Sequence, residues 1–351
     1  MKLDAVVVIA VVLGWPAAFA ADPLQQVWEL RLAEGKNHPI IDLAFSPDGK
    51  KLAVTMAKEL LIVDVENPQA NLRRIDLDTC GKFIEWSPSS AALLVCERVV
   101  RLSDGKSCEL YRTPNPQVLQ SLQGTTHWLT TGRVILADGT IVDLGCQTAG
   151  KWAVEKEGDW AVAATAPTKG LLVLRRTTQE TRNVRPLAYN DYAIADIKSH
   201  QMTSDLLLRG KLRAGSPVLA EGARVVCSEV QAVGQKTWKL QCWNLPDGEA
   251  VTLADELADF RVARGSLSSA RVIAERWDYH RGNLLEKSPD LLSSMIVDLR
   301  SGKQFAAMKP RPQRDYPSGE IRDRYFRLAL SPNGELLAEG GDGVVTLQRL
   351  P

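Results

Sequence analysis

Hydrophobic and polar residues alternate in short runs along most of the chain, and turn-forming residues interrupt the alternation. Residues 40–54 read IIDLAFSPDGKKLAV: Ile41, Leu43 and Phe45 alternate with Asp42 and Ala44, SPDG intervenes, and Leu52 and Val54 resume the pattern. A period of two on both sides of a turn predicts a β-hairpin. Pro47 sets φ at the second turn position, Asp48 tolerates the third, and Gly49 accepts a left-handed backbone. Residues 325–339, YFRLALSPNGELLAE, repeat the pattern 285 residues later, with Phe326, Leu328, Leu330 and Leu337 in the equivalent places. A third copy, KFIEWSPSSAALLV, follows the first by 41 residues, with Trp86 where Phe45 stood and without the glycine.

A second kind of turn lies between these copies, in RLSDGKSCEL from 101, ILADGTIVDL from 135, WNLPDGEAVTL from 243 and VDLRSGKQF from 297. Each places Asp-Gly or Ser-Gly between β-rich segments, a strong short-range hairpin signal. Two alternating hairpin types predict a four-stranded unit, in which strands a and b join through Ser-Pro-x-Gly and strands c and d through Asp-Gly or Ser-Gly.

This pattern resembles the WD40-like β-propeller repeats, on the three Ser-Pro copies followed by Leu52, Leu93 and Leu337 and on the Asp-Gly turns after them. The Gly-His and Trp-Asp dipeptides of the strict family are absent, so the resemblance is to a divergent member. It implies an all-β fold: a single β-propeller over residues 21–351, with four-stranded blades around a central channel. The blades read as 37–77, 80–113, 115–149, 150–187, 188–255 and 256–311, and a last copy supplies only three strands, at 326–330, 335–339 and 344–350. Residues 25–35, QQVWELRLAEG, alternate in the same way and precede the first full blade. They are expected to supply the missing strand d of the C-terminal blade and to close the ring. The count reads as seven blades. Eight is the alternative, because the 69 residues between a turn expected near Gln179 and Gly248 could hold one enlarged blade or two short ones.

The first 20 residues change the setting. Lys2, an apolar run at 5–13, a breaker at 14–16 and the Ala18-Phe19-Ala20 site read as a signal peptide, residues 1–20, cleaved after Ala20. The apolar run is shorter than the roughly 20 residues of a bilayer span, so the expectation is an exported protein, periplasmic or secreted, with no membrane insertion after cleavage. Lys and Arg number 43 against 42 Asp and Glu, for a net charge of +1 and no dense basic run, so no nucleic-acid partner is expected. Export makes the six cysteines readable as disulfides. A hairpin over residues 223–245 puts Cys227 opposite Cys242, and a register centred on Pro88 puts Cys80 opposite Cys96; Cys108 and Cys146 have no evident facing geometry.

His38, His127, His200 and His280 are scattered without metal-ligand spacing, and no nucleophile elbow, dinucleotide fingerprint or phosphate loop is present. No catalytic residue, metal or cofactor is therefore expected. The informative feature is where the insertions fall. Long irregular segments at 189–215, 276–293 and 308–324 all lie in b–c or d–a connections, which emerge on one face of a propeller. Loops on a rigid scaffold commonly carry recognition, and Trp277, Tyr279, His280, Arg281, Arg311, Arg314 and Tyr316 are the candidate binding residues. The resulting expectation is a monomeric, non-enzymatic exported scaffold that binds an unidentified protein or other macromolecule through these loops. The alternative is a propeller hydrolase, metal-dependent and lactonase-like, with a site at the channel mouth. That reading requires carboxylates and histidines from different blades to converge with perturbed pKa values.

Overall fold

In the computed structural model of the chain, the structure describes residues 24–32, 40–56, 58–77, 83–95, 97–110, 126–153, 160–182, 185–204, 212–214, 218–220, 225–232, 238–244, 250–257, 260–265, 270–278, 290–301, 304–308, 327–341 and 343–351. Each Ser-Pro copy folds as a hairpin whose serine does more than precede the proline. Ser46 Oγ donates to Asp48 Oδ1 at 2.6 Å and accepts the Lys51 amide at 2.9 Å, while the Gly49 amide donates to the Ser46 carbonyl at 2.8 Å. Ser331 repeats this arrangement with Asn333, Leu336 and Gly334. In the third copy Ser90 stands at the glycine position and adopts φ +58°, beside +72° for Gly49 and +73° for Gly334.

Twenty-nine strands form seven antiparallel sheets among the described residues. After β1 (Gln25–Arg31), sheet 1 comprises β2 (Asp42–Phe45), β3 (Lys51–Met56), β4 (Glu59–Asp64) and β5 (Arg73–Asp76). Sheet 2 comprises β6 (Ile84–Trp86), β7 (Ala92–Val95), β8 (Arg98–Arg101) and β9 (Ser107–Glu109). Sheet 3 is built of β10 (His127–Thr130), β11 (Arg133–Ile135), β12 (Thr140–Asp143) and β13 (Thr148–Lys151). Sheet 4 holds β14 (Trp160–Ala166), β15 (Leu171–Arg182), β16 (Arg185–Asp196) and β17 (Met202–Ser204), with a single 3-10 turn at Pro167–Lys169. In sheet 5 the first strand is split into β18 (Leu212–Ala214) and β19 (Val218–Ala220), both pairing with β20 (Val225–Ala232), and β21 (Trp238–Asn244) and β22 (Ala250–Leu257) follow. Sheet 6 has β23 (Phe260–Gly265), β24 (Arg271–Asp278), β25 (Asp290–Asp298) and β26 (Gln304–Met308). Sheet 7 runs β27 (Arg327–Leu330), β28 (Leu336–Gly341), β29 (Val344–Arg349), and its outer strand is β1, paired from Gln25 opposite Arg349 to Arg31 opposite Val344.

The middle strands of sheets 1 and 2 are buried on both faces, which is why they read as apolar runs rather than alternating ones. In β3, Leu52 and Val54 pack with Val345 and Leu347 of sheet 7, while Ala53 between them packs with Trp86 and Leu93 of sheet 2. Comparable apolar clusters lie between sheets 2 and 3, 3 and 4, 4 and 5, and 6 and 7. Directed bonds cross the same junctions along the innermost strands. Asp42, 2 % exposed, accepts the Ile84 amide of the next sheet through Oδ2 at 3.1 Å, and Trp86 Nε1 donates back to the Ala44 carbonyl at 2.9 Å. Glu85 and Trp128 repeat the exchange one sheet further on, and Arg327 Nε donates to the Ile41 carbonyl at 2.7 Å.

Three expectations are corrected. The Asp138-Gly139 turn joins the second and third strands of sheet 3, not the third and fourth. The turn expected near Gln179 comes later, after Arg182 opposite Arg185, and Gln179 itself sits in mid-strand opposite Ala188. The fourth unit therefore extends to Ser204 rather than 187, and much of the supposedly irregular segment 189–215 is strand. A polar run such as TTQETR offers no apolar face to read, although its backbone pairs along its whole length. None of the helical turns among the described residues is long and apolar enough to cross a membrane.

Replacing Asp42 by alanine strands a buried amide of the neighbouring sheet, and urea denaturation should show a loss of about 2–3 kcal/mol. Ser331→Ala, confined to one turn, should cost about 1–2 kcal/mol in the same measurement.

Candidate functional site

The junction of sheets 2 and 3 concentrates ionisable groups. Glu85 is central in the innermost strand β6, and His127 begins β10, the innermost strand of sheet 3. Glu97 occupies the short connection between β7 and β8 and has φ +62°, a backbone region that a glutamate rarely adopts. His127 Nδ1 lies 3.0 Å from Glu85 Oε2, and the other oxygen of Glu85 accepts the Trp128 amide at 3.2 Å. Thr126 Oγ1 donates to Glu97 Oε2 at 3.0 Å. The edge of Phe83 meets the imidazole, with ring centroids 6.2 Å apart.

Glu97 and His127 are 6 % and 8 % exposed. Glu97 Oε1 and His127 Nε2 are both buried and have no hydrogen-bond partner among the described residues. Burial pushes the Glu97 carboxyl up to about 7, against the opposing pulls of the Thr126 hydroxyl and the nearby His127. A carboxyl that exchanges its proton near neutrality, next to an imidazole held through Nδ1 by a second carboxylate, is chemically able to accept and release a proton. Both groups are buried, so a substrate would reach them only after a local movement.

Around this cluster the junction is closed on its outer side by a disulfide between Cys108 in β9 and Cys146 in the β12–β13 turn, with Cα atoms 5.9 Å apart. The bond implies an oxidising environment. Cys242 is also disulfide-bonded, and Cys227 stands opposite it in the β20–β21 ladder. Cys80 and Cys96 lie outside the described residues.

On the same end of the molecule as Glu97, the hairpins joining second and third strands differ sharply in length. Sheets 1, 2, 3 and 7 use strands of 3 to 6 residues in these hairpins. Sheets 4, 5 and 6 use 12 and 12, 8 and 7, and 8 and 9. Among the described residues the first strand of sheet 4 pairs with β15 as far as Arg176, and the β15–β16 ladder continues from Thr177 opposite Asn190 to Arg182 opposite Arg185. Six pairs beyond the sheet project about 20 Å at the rise of a strand. At the base of this ribbon Arg176 is held over the Trp160 ring, 4.9 Å from its centroid, and bonded to Asp191 Oδ2 at 2.8 Å.

Of the sequence-predicted binding residues, Trp277 is in β24, opposite Leu291 and just past Arg276, where the first strand of sheet 6 stops pairing. Tyr279, His280, Arg281, Arg311, Arg314 and Tyr316 lie outside the described residues. Sequence reasoning named His127 only among the scattered histidines and passed over Glu85 and Glu97, because the three belong to no motif. The available signal was weak: Glu85 is a charge inside the apolar KFIEWSP copy. Among the described residues no three or more His, Cys, Asp or Glu converge as a metal would need.

The raised carboxyl makes stability depend on pH with a definite sign. The folded chain holds the Glu97 proton more tightly than the unfolded chain, so its contribution is full below 4.5, the ordinary value, and is lost as pH rises through about 7. Comparing urea midpoints of the wild type and Glu97→Gln across that window should show the wild type losing ground to the variant. The difference at the alkaline end should be on the order of 1–2 kcal/mol.

No protein-family model matches the sequence, and no curated protein aligns with it. Solved structures do match in fold. An oligogalacturonate lyase from Vibrio parahaemolyticus superposes with a TM-score of 0.58 at 10 % identity, covering 92 % of this chain and 93 % of its own. The β-propeller domain of Myceliophteria thermophila Cps50 (Swd1) gives a TM-score of 0.57 at 14 % identity, over 92 % of this chain and 100 % of that domain. A second oligogalacturonate lyase, in complex with manganese, gives 0.56 at 11 % identity, over 94 % and 97 %. At such identities the likeness concerns the fold alone, and the fold is a β-propeller.

Proposed function

We propose that the chain is an exported, non-enzymatic β-propeller of seven blades, closed by β1, that binds a protein or other macromolecule through the face carrying the long hairpins. The observation that carries this reading is the lengthening of three successive hairpins on one end, beside four that remain short. A two-stranded ribbon that projects from a rigid sheet presents side chains on both faces and backbone groups along its edges, so it offers shape and hydrogen bonding at a small cost in mobility. Trp277 begins the comparable extension in sheet 6, and aromatic and arginine side chains near such a position are efficient anchors. Closure by β1 is supported by its six-position pairing with β29, and export by the N-terminal pattern together with the Cys108–Cys146 bond.

A second reading has its own observation. The Glu85–His127–Glu97 grouping is the kind of convergence an enzyme at the channel mouth would use, and enzymes occur among the propellers of similar fold. It requires access to buried groups. Turnover of lactones or esters by the wild type that disappears in both His127→Gln and Glu97→Gln would favour it over the scaffold.

Replacing residues 177–190 by an Asn-Gly turn joins Arg176 to Asp191, which already face each other, and should leave the sheet intact. Crosslinking in the native envelope should then recover at least about tenfold less of the wild-type partners, as should Trp277, Tyr279 and Arg281 all changed to Ala. Equal recovery by wild type and both variants removes this face as the binding surface. Intact mass of the recovered protein should place its N-terminus at Ala21.

A further inference from the structure

The opposite end of the molecule, where the Ser-Pro turns lie, carries a cavity of about 390 Å³ between sheets 1 and 2. Lys51 at the start of β3, Arg73 at the start of β5 and Arg101 at the end of β8 are among its lining residues. Ile62 and Leu102 line its apolar part. Among the described residues no acidic side chain lines it, and Arg101 is ion-paired at its edge with Asp104 at 2.9 Å. Arg73 is pre-positioned, because its guanidinium donates to the Leu102 carbonyl of the neighbouring sheet.

A second observation points to the same place. Ser90 lines this cavity, and Ser90 is the residue that replaces glycine in the third Ser-Pro turn while keeping the left-handed backbone at φ +58°. A side chain in that region costs about 1 kcal/mol relative to glycine. The two copies that keep glycine, at 49 and 334, show that the turn itself does not ask for a serine. Strain retained at a cavity wall is what a ligand contact would explain, since a local rule is most often broken where function requires it.

We propose that this cavity binds a small amphiphilic anion, an oxyanion head group on an apolar body, with Lys51, Arg73 and Arg101 receiving the charge and Ser90 donating to it. Guanidinium and ammonium groups at one wall favour a carboxylate or phosphate ester. The Ile62 and Leu102 wall favours an attached hydrocarbon over a bare ion. The site is independent of the hairpin face and stands whether or not that face binds a partner.

Isothermal titration calorimetry on the full mature chain tests it with four probes: octanoate, phenyl phosphate, inorganic phosphate and the neutral octanamide. Octanoate or phenyl phosphate should bind, and whichever binds tighter identifies the head group. Both inorganic phosphate and octanamide should be weaker by about tenfold or more. Lys51→Gln, at an exposed position, should weaken the better probe about tenfold without changing stability. Ser90→Gly should weaken it while raising the urea midpoint, because the variant relieves the turn. Absence of heat with every probe, octanamide binding as well as octanoate, or unchanged affinity in both variants would overturn the assignment.

Discussion

Among the described residues the seven sheets share no ladder, and apolar packing by itself sets no register between them. Carboxylates and indoles on the innermost strands are among the groups whose bonds do so. Asp42 accepts the Ile84 amide and Trp86 returns a bond to the Ala44 carbonyl; Glu85 accepts the Trp128 amide and Trp128 returns one to the Glu85 carbonyl. Each exchange fixes one strand against the next at a single height, in a place where an unpaired amide or carboxylate would be costly. The apolar clusters between sheets then supply a large, non-directional term to a geometry that is already specified.

The same arrangement explains where polar groups accumulate. Once a carboxylate is committed to capping a neighbouring strand, its second oxygen must also find a partner, and at Glu85 that partner is His127. The imidazole is held at one nitrogen and buried at the other. Glu97, brought in by a short connection with a left-handed backbone, is protonated far above the ordinary carboxyl range because burial outweighs Thr126 and His127 together. Its raised value is thus a consequence of how sheets 2 and 3 are joined. Whether any chemistry uses it is a separate question from why it exists.

Architecture was legible in the sequence wherever a turn carries its own chemistry. Ser46-Pro47, Ser87-Pro88 and Ser331-Pro332 announce hairpins, and the alternation from Gln25 to Arg31 announces a strand without a sheet of its own. Sheet 4 was misread because its turns are of another kind: a 3-10 turn replaces Ser-Pro-x-Gly between β14 and β15, and β15 runs on through polar residues that carry no periodicity. The cysteines show the same division. Cys227 and Cys242 face each other within one hairpin, where register can be counted. Cys108 and Cys146 meet across two sheets, and no spacing along a chain encodes that distance. His127, Glu85 and Glu97 belong to this second class.

The length of the connection between second and third strands divides the described sheets into two groups. Glu97 reaches Thr126 because the β7–β8 connection is too short to carry it away from the next sheet, and the bonds from Asp42, Glu85 and Arg327 all lie among sheets 7, 1, 2 and 3. Sheets 4 to 6 have the long hairpins. Lengthening a connection costs little in closure entropy, rising only with the logarithm of its length, so what limits it is the contact it would disturb. An extension outward from the second and third strands leaves the bonds of the innermost strand untouched: Thr165 of β14 donates to the Trp128 carbonyl of sheet 3 although sheet 4 carries the longest hairpin. The ribbon of sheet 4 therefore projects from a sheet that is itself bonded to its neighbour at the innermost strand.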